Sequence, residues 1–266
     1  MHAPKKHLGQ NFLFDPSILK KIIKVAGVTG DDTVVEIGPG PGRLTLLLAG
    51  AAKKVIAIEL DTDLCADLQE QVREYPNLEV ILGDALQYPF ENLEPFRVVA
   101  NIPYYITTPI MFRLLEARSQ LRSMTLTIQK EVAQRIVAKP GGKDYGSLSV
   151  AIQYYGEARL AFTVPRGAFR PVPKVDSAVL HVEILPSPRV TVLDEGTFFK
   201  VVRAAFSQRR KTLANSLKAV LGDMRDILIR AEIDPVRRAE TLSIGEFGRL
   251  SDILVQEGRH QQQPPA

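Results

Sequence analysis

Residues 33–50 read TVVEIGPGPGRLTLLLAG, and this stretch decides the fold. TVVEIG is a short apolar strand and RLTLLLAG an apolar helix. Between them Gly38, Gly40 and Gly42 stand two residues apart. A glycine-rich turn between a strand and a helix lets backbone come close to a ligand and points helix N–H groups at negative charge. The same alternation repeats outward. KVIAIEL (54–60) is a second strand, followed by the helical DTDLCADLQEQVREY (61–75). LEVILGD (78–84) and RVVANI (97–102) are further strands, and TPIMFRLLEAR (108–118) is a helix opened by Thr108 and Pro109. SMTLTIQK (123–130) is a strand and KEVAQRIVA (130–138) a helix. Short strands buried on both sides and spaced by helices predict an α/β fold with a parallel sheet.

After the glycine-rich loop KPGGKDYGS (139–147) the text changes. ARLAFTV (158–164) and SAVLHVEIL (177–185) are strands without a full helix between them, so the sheet is expected to end on an antiparallel last strand. PSPRV (186–190) reads as a linker. Beyond it TFFKVVRAAFSQRRKTLANSLKAVL, MRDILIRAEI and IGEFGRLSDILVQ are helical. The expected organisation is a sheet domain over residues 1–186, a small all-helical domain over 191–258 and a disordered tail over 259–266.

Composition narrows the class. Apolar residues make up 45% of the 266, enough for a sizeable core. The longest apolar runs stop far short of a membrane span, and residues 1–10 are basic rather than apolar, so neither a membrane protein nor a signal peptide is expected. One cysteine, Cys65, excludes a disulfide framework and a cysteine-cluster metal site. His2, His7, His181 and His260 lack ligand spacing, so no metal is expected. A cytoplasmic protein is the reading. The net charge of +4 is modest but clustered. Lys200, Arg203, Arg209, Arg210, Lys211 and Lys218 share one acid-free stretch, and Arg159, Arg166, Arg170 and Lys174 another. Such stretches can be solvated faces; they also suit a polyanionic partner.

The residues at the strand ends carry the chemistry. The turn departs from the dinucleotide fingerprint G-x-G-x-x-G, because Arg43 takes the place of its third glycine. Glu36, two residues before Gly38, would repel a pyrophosphate and suits the ammonium of an amino-acid-like ligand. Glu59 ends the second strand, 21 residues after Gly38, where a carboxylate can accept both hydroxyls of a ribose. Asp84 ends the third and can accept from an adenine amino group. Either acid alone could be a helix N-cap; together they outline an adenosine pocket. VVANIPYYITTPI (98–110) then puts an amide, Asn101, at the tip of an apolar strand beside Pro103 and Tyr104.

Glu36-x-Gly38-x-Gly40-x-Gly42, Glu59 and Asp84 resemble the S-adenosylmethionine site of class I methyltransferases, a Rossmann-like fold. Asn101-Ile102-Pro103-Tyr104 resembles their amine-methylating motif, Asn/Asp-x-Pro-aromatic. In this reading Asn101 and the Ile102 carbonyl accept the two hydrogens of a target amine, Pro103 sets the backbone, and Tyr104 stacks on the base. Three further stretches narrow the resemblance to the rRNA adenine dimethyltransferases. HLGQNFL (7–13) is similar to that family's N-terminal signature, which implies cofactor contact through the Asn11 side chain and Leu13 backbone. AFRPVPKVDSAV (168–179) is similar to its post-core motif, which implies that Phe169 is a second aromatic wall for the base. AFSQRRKTLANSL (205–217) resembles the signature of its housekeeping branch, with Arg209, Arg210 and Lys211 as candidate RNA contacts.

The resemblance implies a function: dimethylation of the 6-amino groups of two adjacent adenosines near the 3′ end of 16S rRNA, in the immature small subunit (pre-30S), by a monomer using S-adenosylmethionine. Ile102 stands where this branch more often has leucine, and isoleucine also occurs in the resistance branch acting on 23S rRNA. That branch is one alternative. An assembly or transcription factor built on a methyltransferase fold is another. A nicotinamide-dependent dehydrogenase is disfavoured by Arg43 and by the lack of an acid/base histidine at the crevice.

Overall fold

The computed structural model describes residues 5, 8–208 and 210–260. In chain order the first half forms β1 (Phe12–Leu13), α1 (Pro16–Ala26), β2 (Thr33–Ile37), α2 (Arg43–Ala49), β3 (Lys54–Glu59), α3 (Thr62–Gln71), β4 (Leu78–Leu82), β5 (Phe96–Asn101) and α4 (Thr107–Glu116). There follow β6 (Leu121–Gln129), α5 (Lys130–Val137), α6 (Ser147–Tyr155), β7 (Gly156–Val164), β8 (Phe169–Arg170) and β9 (Ser177–Ile184). The chain continues with α7 (Glu195–Phe206), α8 (Leu213–Leu221), α9 (Arg225–Arg230) and α10 (Ile244–His260).

Seven strands make one sheet in the order β4-β3-β2-β5-β6-β9-β7. The first five run parallel, and β9 runs antiparallel to β6, as the text after residue 147 predicts. β9 enters between β6 and β7, although β7 precedes it in the chain. This is a class I methyltransferase fold. A two-residue ribbon, β1 with β8, stands apart from the sheet and pairs Leu13 with Phe169.

Two helices are not among those the sequence reading predicts. α1 carries the usual signals: Asp15 caps it by accepting from the Ser17 N–H, Pro16 stands in its first turn, and Gly27 ends it in the left-handed conformation. Its buried residues Ile18, Leu19, Ile22 and Ala26 join Val34, Val55 and Val99 of the sheet in one core cluster. Each larger one contributes roughly 1.5–3 kcal/mol by leaving water. α6 lies between the glycine-rich loop and the strand read at 158–164, where the sequence reading placed no element.

By its contacts the chain divides into two units: residues 1–133 with 157–184, and residues 134–156 with 185–266. Residues 134–156 thus group with the helices and not with the sheet, unlike the 1–186 boundary predicted. In the second unit α7 is the hub, packing on α6, α8 and α10. Tyr154 of α6 stacks on Phe198 of α7 with ring centroids 4.5 Å apart. The text read as one helix around residue 207 is broken: Ser207 turns its hydroxyl back to the Ala204 carbonyl, and Thr212 is extended before α8. Arg259 and His260, predicted to lie in the tail, continue α10, and residues 261–266 lie outside the described residues. No helix among the described residues is long and apolar enough to cross a membrane.

Candidate active site

Strand alternation decides which side chains share the site. Val34, Val55 and Val99 lie on the sheet face that packs under α1 and α2. Two residues on along β2 and β5, and four on along β3, the same rows reach Glu36, Asn101 and Glu59. Three polar side chains therefore emerge from one face at the carboxyl ends of adjacent parallel strands, where open α/β sheets hold ligands.

The glycine turn follows β2. Gly40 has φ +55°, and a Cβ there would fall 2.7 Å from the Phe12 ring. Gly42 has φ +77°, and a Cβ would fall 2.4 Å from a Leu68 methyl. Both positions thus require glycine for conformation and for space. The Gly40 N–H donates to Glu59 Oε2 at 3.0 Å and the Asp61 N–H to Oε1 at 2.9 Å, so backbone fixes the Glu59 carboxylate at the rim. Burial raises the Glu59 pKa, and these two donors offset part of the rise. Glu36 is buried completely, its Oε2 without a partner among the described residues, and burial beside Glu59 pushes its pKa up to about 8.

A cavity of about 760 Å³, part of it open to solvent, occupies this rim. Its walls include Gly38, Gly40, Glu59, Asp84, Asn101 and Tyr104. Gly38 and Gly40 present bare backbone to it, and Glu59 presents oxygens whose remaining lone pairs can take hydroxyl donors. The residues present fit S-adenosylmethionine. Among the described residues no group of three or more His, Cys, Asp or Glu is placed to hold a metal.

The N-terminal residues cross this rim and fix its amide. The Asn101 side-chain Nδ2 donates to the Asn11 carbonyl at 2.8 Å, which leaves Oδ1 as the acceptor end. Asn11 itself lines the cavity, and its side chain donates to the Gly9 carbonyl. Gln10 and Lys5 both donate to Asp61, at 2.9 and 2.7 Å. Burial alone would raise the Asp61 pKa, but these two bonds hold it below the ordinary range. Arg43, which spoils the dinucleotide fingerprint, lies 4.3 Å over the Phe14 ring and holds the segment by a cation–π contact. Sequence reading missed Phe12, Gln10 and Asp61 in these roles, because each matters only through a partner remote in the chain.

The remaining predicted residues are distributed unevenly. Ile102 and Pro103 line the cavity with Asn101 and Tyr104, and the Ile102 N–H donates to the Thr127 carbonyl of β6. Asp84 lines it too, and its Oδ1 accepts from the Leu86 N–H in the turn that follows, a turn and not the helix start expected of an N-cap. Leu13 is buried away from the main cavity and lines a smaller one with Glu36 and Asn101. Phe169 corrects the prediction: it is fully buried and belongs to the core cluster with Leu13, Leu19 and Val179, so it does not line the cavity. Its pairing with Leu13 in the β1–β8 ribbon draws the ring inward. Arg210 and Lys211 are exposed in the turn between α7 and α8, and Arg209 lies outside the described residues.

Comparisons with known proteins agree with this geometry. Residues 1–256 match the family model described as ribosomal RNA adenine dimethylase. A curated relative from Clostridium botulinum (strain Loch Maree / Type A3), named ribosomal RNA small subunit methyltransferase A, is 52% identical over 94% of this chain and 93% of its own. The protein of that name from Geobacillus thermodenitrificans is 48% identical over 94% and 91%. Among solved structures, a dimethyladenosine transferase from Plasmodium falciparum superposes with a TM-score of 0.82 at 30% identity, covering 94% of this chain and 98% of that one. The 23S rRNA methyltransferase ErmE gives 0.72 at 30%, covering 92% and 100%. The family model over residues 1–256 and relatives about 50% identical over 94% of the chain place it in the ribosomal RNA adenine dimethylase family, which uses S-adenosylmethionine as cosubstrate.

Proposed function

We propose that this protein dimethylates the 6-amino groups of two adjacent adenosines near the 3′ end of 16S rRNA, acting as a cytoplasmic monomer on the immature small subunit (pre-30S). The observation that carries the reading is the held amide of Asn101, whose nitrogen end is occupied by the Asn11 carbonyl. The small-subunit substrate is favoured over 23S rRNA because the relatives near 50% identity bear the small-subunit name, whereas the 23S enzyme stands at 30%.

S-adenosylmethionine supplies an electrophilic methyl on a sulfonium centre. Glu59 would hold its ribose, Asp84 its adenine amino group, and the backbone of Gly38 with the Asn11 side chain its methionine part; the Leu13 backbone is the weaker assignment, since Leu13 lies behind the cavity. An adenine amino nitrogen is a poor nucleophile because its lone pair is delocalised into the ring. Accepting both amino hydrogens, at Asn101 Oδ1 and the Ile102 carbonyl, favours a more tetrahedral nitrogen and stabilises positive charge as it develops. Pro103, at φ −55° and ψ 131°, fixes the carbonyl ahead of it. Tyr104 offers a stacking face to a base that has left its helical stack. The proton is lost easily once the nitrogen carries the methyl, so a strong base is unnecessary. Arg210 and Lys211, with Arg209, would bind rRNA phosphates.

The test is a labelled-methyl assay run in parallel on under-methylated small subunits and on large-subunit precursors, each followed by nuclease digestion. Dimethyladenosine at two neighbouring 16S positions is expected. Label confined to large-subunit precursors would move the protein to the resistance branch, and subunit binding without any label would make it an assembly factor.

A further inference from the structure

Tyr104 is anchored by a residue of the 168–179 stretch that lies outside the cavity. Its phenol oxygen lies 2.7 Å from Ser177 Oγ, and Ser177 is fully buried. Ser177 is the first residue of β9, paired with Gln129 at the carboxyl end of β6. The antiparallel sense of β9 explains the meeting: an antiparallel strand brings its beginning to the rim where the parallel strands end. The backbone before Ser177 is pinned twice. The Asp176 carbonyl accepts from the Lys130 N–H at 3.0 Å, and its side chain accepts from the Arg166 N–H at 2.9 Å. Tyr104, in contrast, starts a 3₁₀ turn that leads into α4 and has no side-chain cap, which fixes its backbone but not the rotation of its ring. A bond at the far end of the ring holds its long axis. A phenol oxygen donates or accepts best near the plane of its ring, so whichever oxygen donates, the bond also biases the ring's rotation about that axis.

We propose that Ser177 is a positioning residue that holds the Tyr104 ring in the plane required for stacking on the target adenine. The inference rests on the stacking role given to Tyr104 above. Ser177 does not line the cavity and touches no reacting atom; it acts through the tyrosine.

The experiment is a mutant cycle on under-methylated small subunits with Ser177→Ala, Tyr104→Phe and the double variant, and with Tyr104→Ala as the reference for the stacking role. S-adenosylmethionine affinity is measured alongside to verify the pocket. Loss of one hydrogen bond is expected to lower kcat/KM for methyl transfer about three- to tenfold in either single variant. The double variant should be no worse than either single, since only one bond is lost. S-adenosylmethionine affinity should stay at the wild-type value. Tyr104→Phe removes the same bond from the opposite side, so the cycle stays informative if Ser177→Ala folds poorly. A Ser177→Ala loss that persists undiminished in the Tyr104→Phe background would show a merely structural effect and overturn the proposal, as would unaltered transfer in both singles. If Tyr104→Ala itself transfers methyls normally, the stacking role fails, and the positioning role with it. A crippled Tyr104→Ala beside a normal Tyr104→Phe removes the positioning role alone.

Discussion

The sheet rim and the helical unit use the same physics to opposite ends. At the rim, polar groups are kept out of water at a cost: Glu36 is buried with a partnerless oxygen, and the oxygens of Thr45, Thr107 and Thr127 are buried the same way. In the helical unit the large buried side chains are aromatic, with Tyr154 and Phe198 packed ring on ring against the half-buried Phe199; one buried polar atom, the Tyr145 hydroxyl, lacks a partner among the described residues, and the charges of its acid-free stretch that the structure describes lie at the surface. Unsatisfied buried polar groups are expensive, roughly 1–3 kcal/mol each, and of these Glu36 is the one that also lines a cavity, beside Asn101. The contrast teaches where function and stability separate: substitutions at the rim should change chemistry more than folding, and those in the helical core the reverse.

The strongest way to break that separation is Asn101→Ala. Its loss should lower methyl transfer by about 10²–10³-fold, as for other donors or acceptors aimed at developing charge, while calorimetry finds S-adenosylmethionine affinity within a few-fold of wild type. Near-wild-type turnover would remove Asn101 from the mechanism. In the helical unit, Phe198→Ala should cost about 3–5 kcal/mol of stability, read from denaturant melts, and leave the affinity of the folded fraction for S-adenosylmethionine unchanged. A comparable fall in that affinity would erase the distinction between the regions.

A pH dependence follows from the buried acid at the rim. Glu36 has its folded pKa raised by burial to about 8, above the ordinary 4.5. The folded protein therefore holds a proton that the unfolded chain releases, and the resulting stability, fully present below about pH 4.5, is lost as pH rises toward about 8, at no more than roughly 1.4 kcal/mol per pH unit. Glu36→Gln abolishes the titration. Its melting temperature without ligand should accordingly gain on wild type between pH 5 and pH 8; parallel curves would mean that Glu36 ionises at its ordinary pKa.

Much of the site was legible because its parts are local. The order strand, glycine turn, helix puts Gly38 at the start of a loop by chain geometry alone, and Glu59, Asp84 and Asn101 each close a strand that the residues before them announce. Phe169 was misread for the opposite reason. A motif names the residue, but whether its ring faces a cavity or the core depends on what pairs with it, and Leu13 is more than 150 residues earlier. The break near residue 207 was hidden because the apolar pattern of α7 and α8 runs on across it, while hydroxyl-to-carbonyl bonds decide where the helix stops.

By itself, the sequence determined the parallel sheet, the glycine turn that needs bare backbone, and the chemical types at each strand end, because periodicity and turn chemistry act over a few residues. Only the tertiary structure decided that the Asn11 carbonyl takes one end of the Asn101 amide and that Ser177 arrives beside Tyr104. Both join residues remote in the chain, and the place of Ser177 depends on the β6–β9 register, where a shift of one residue would turn its side chain to the other face.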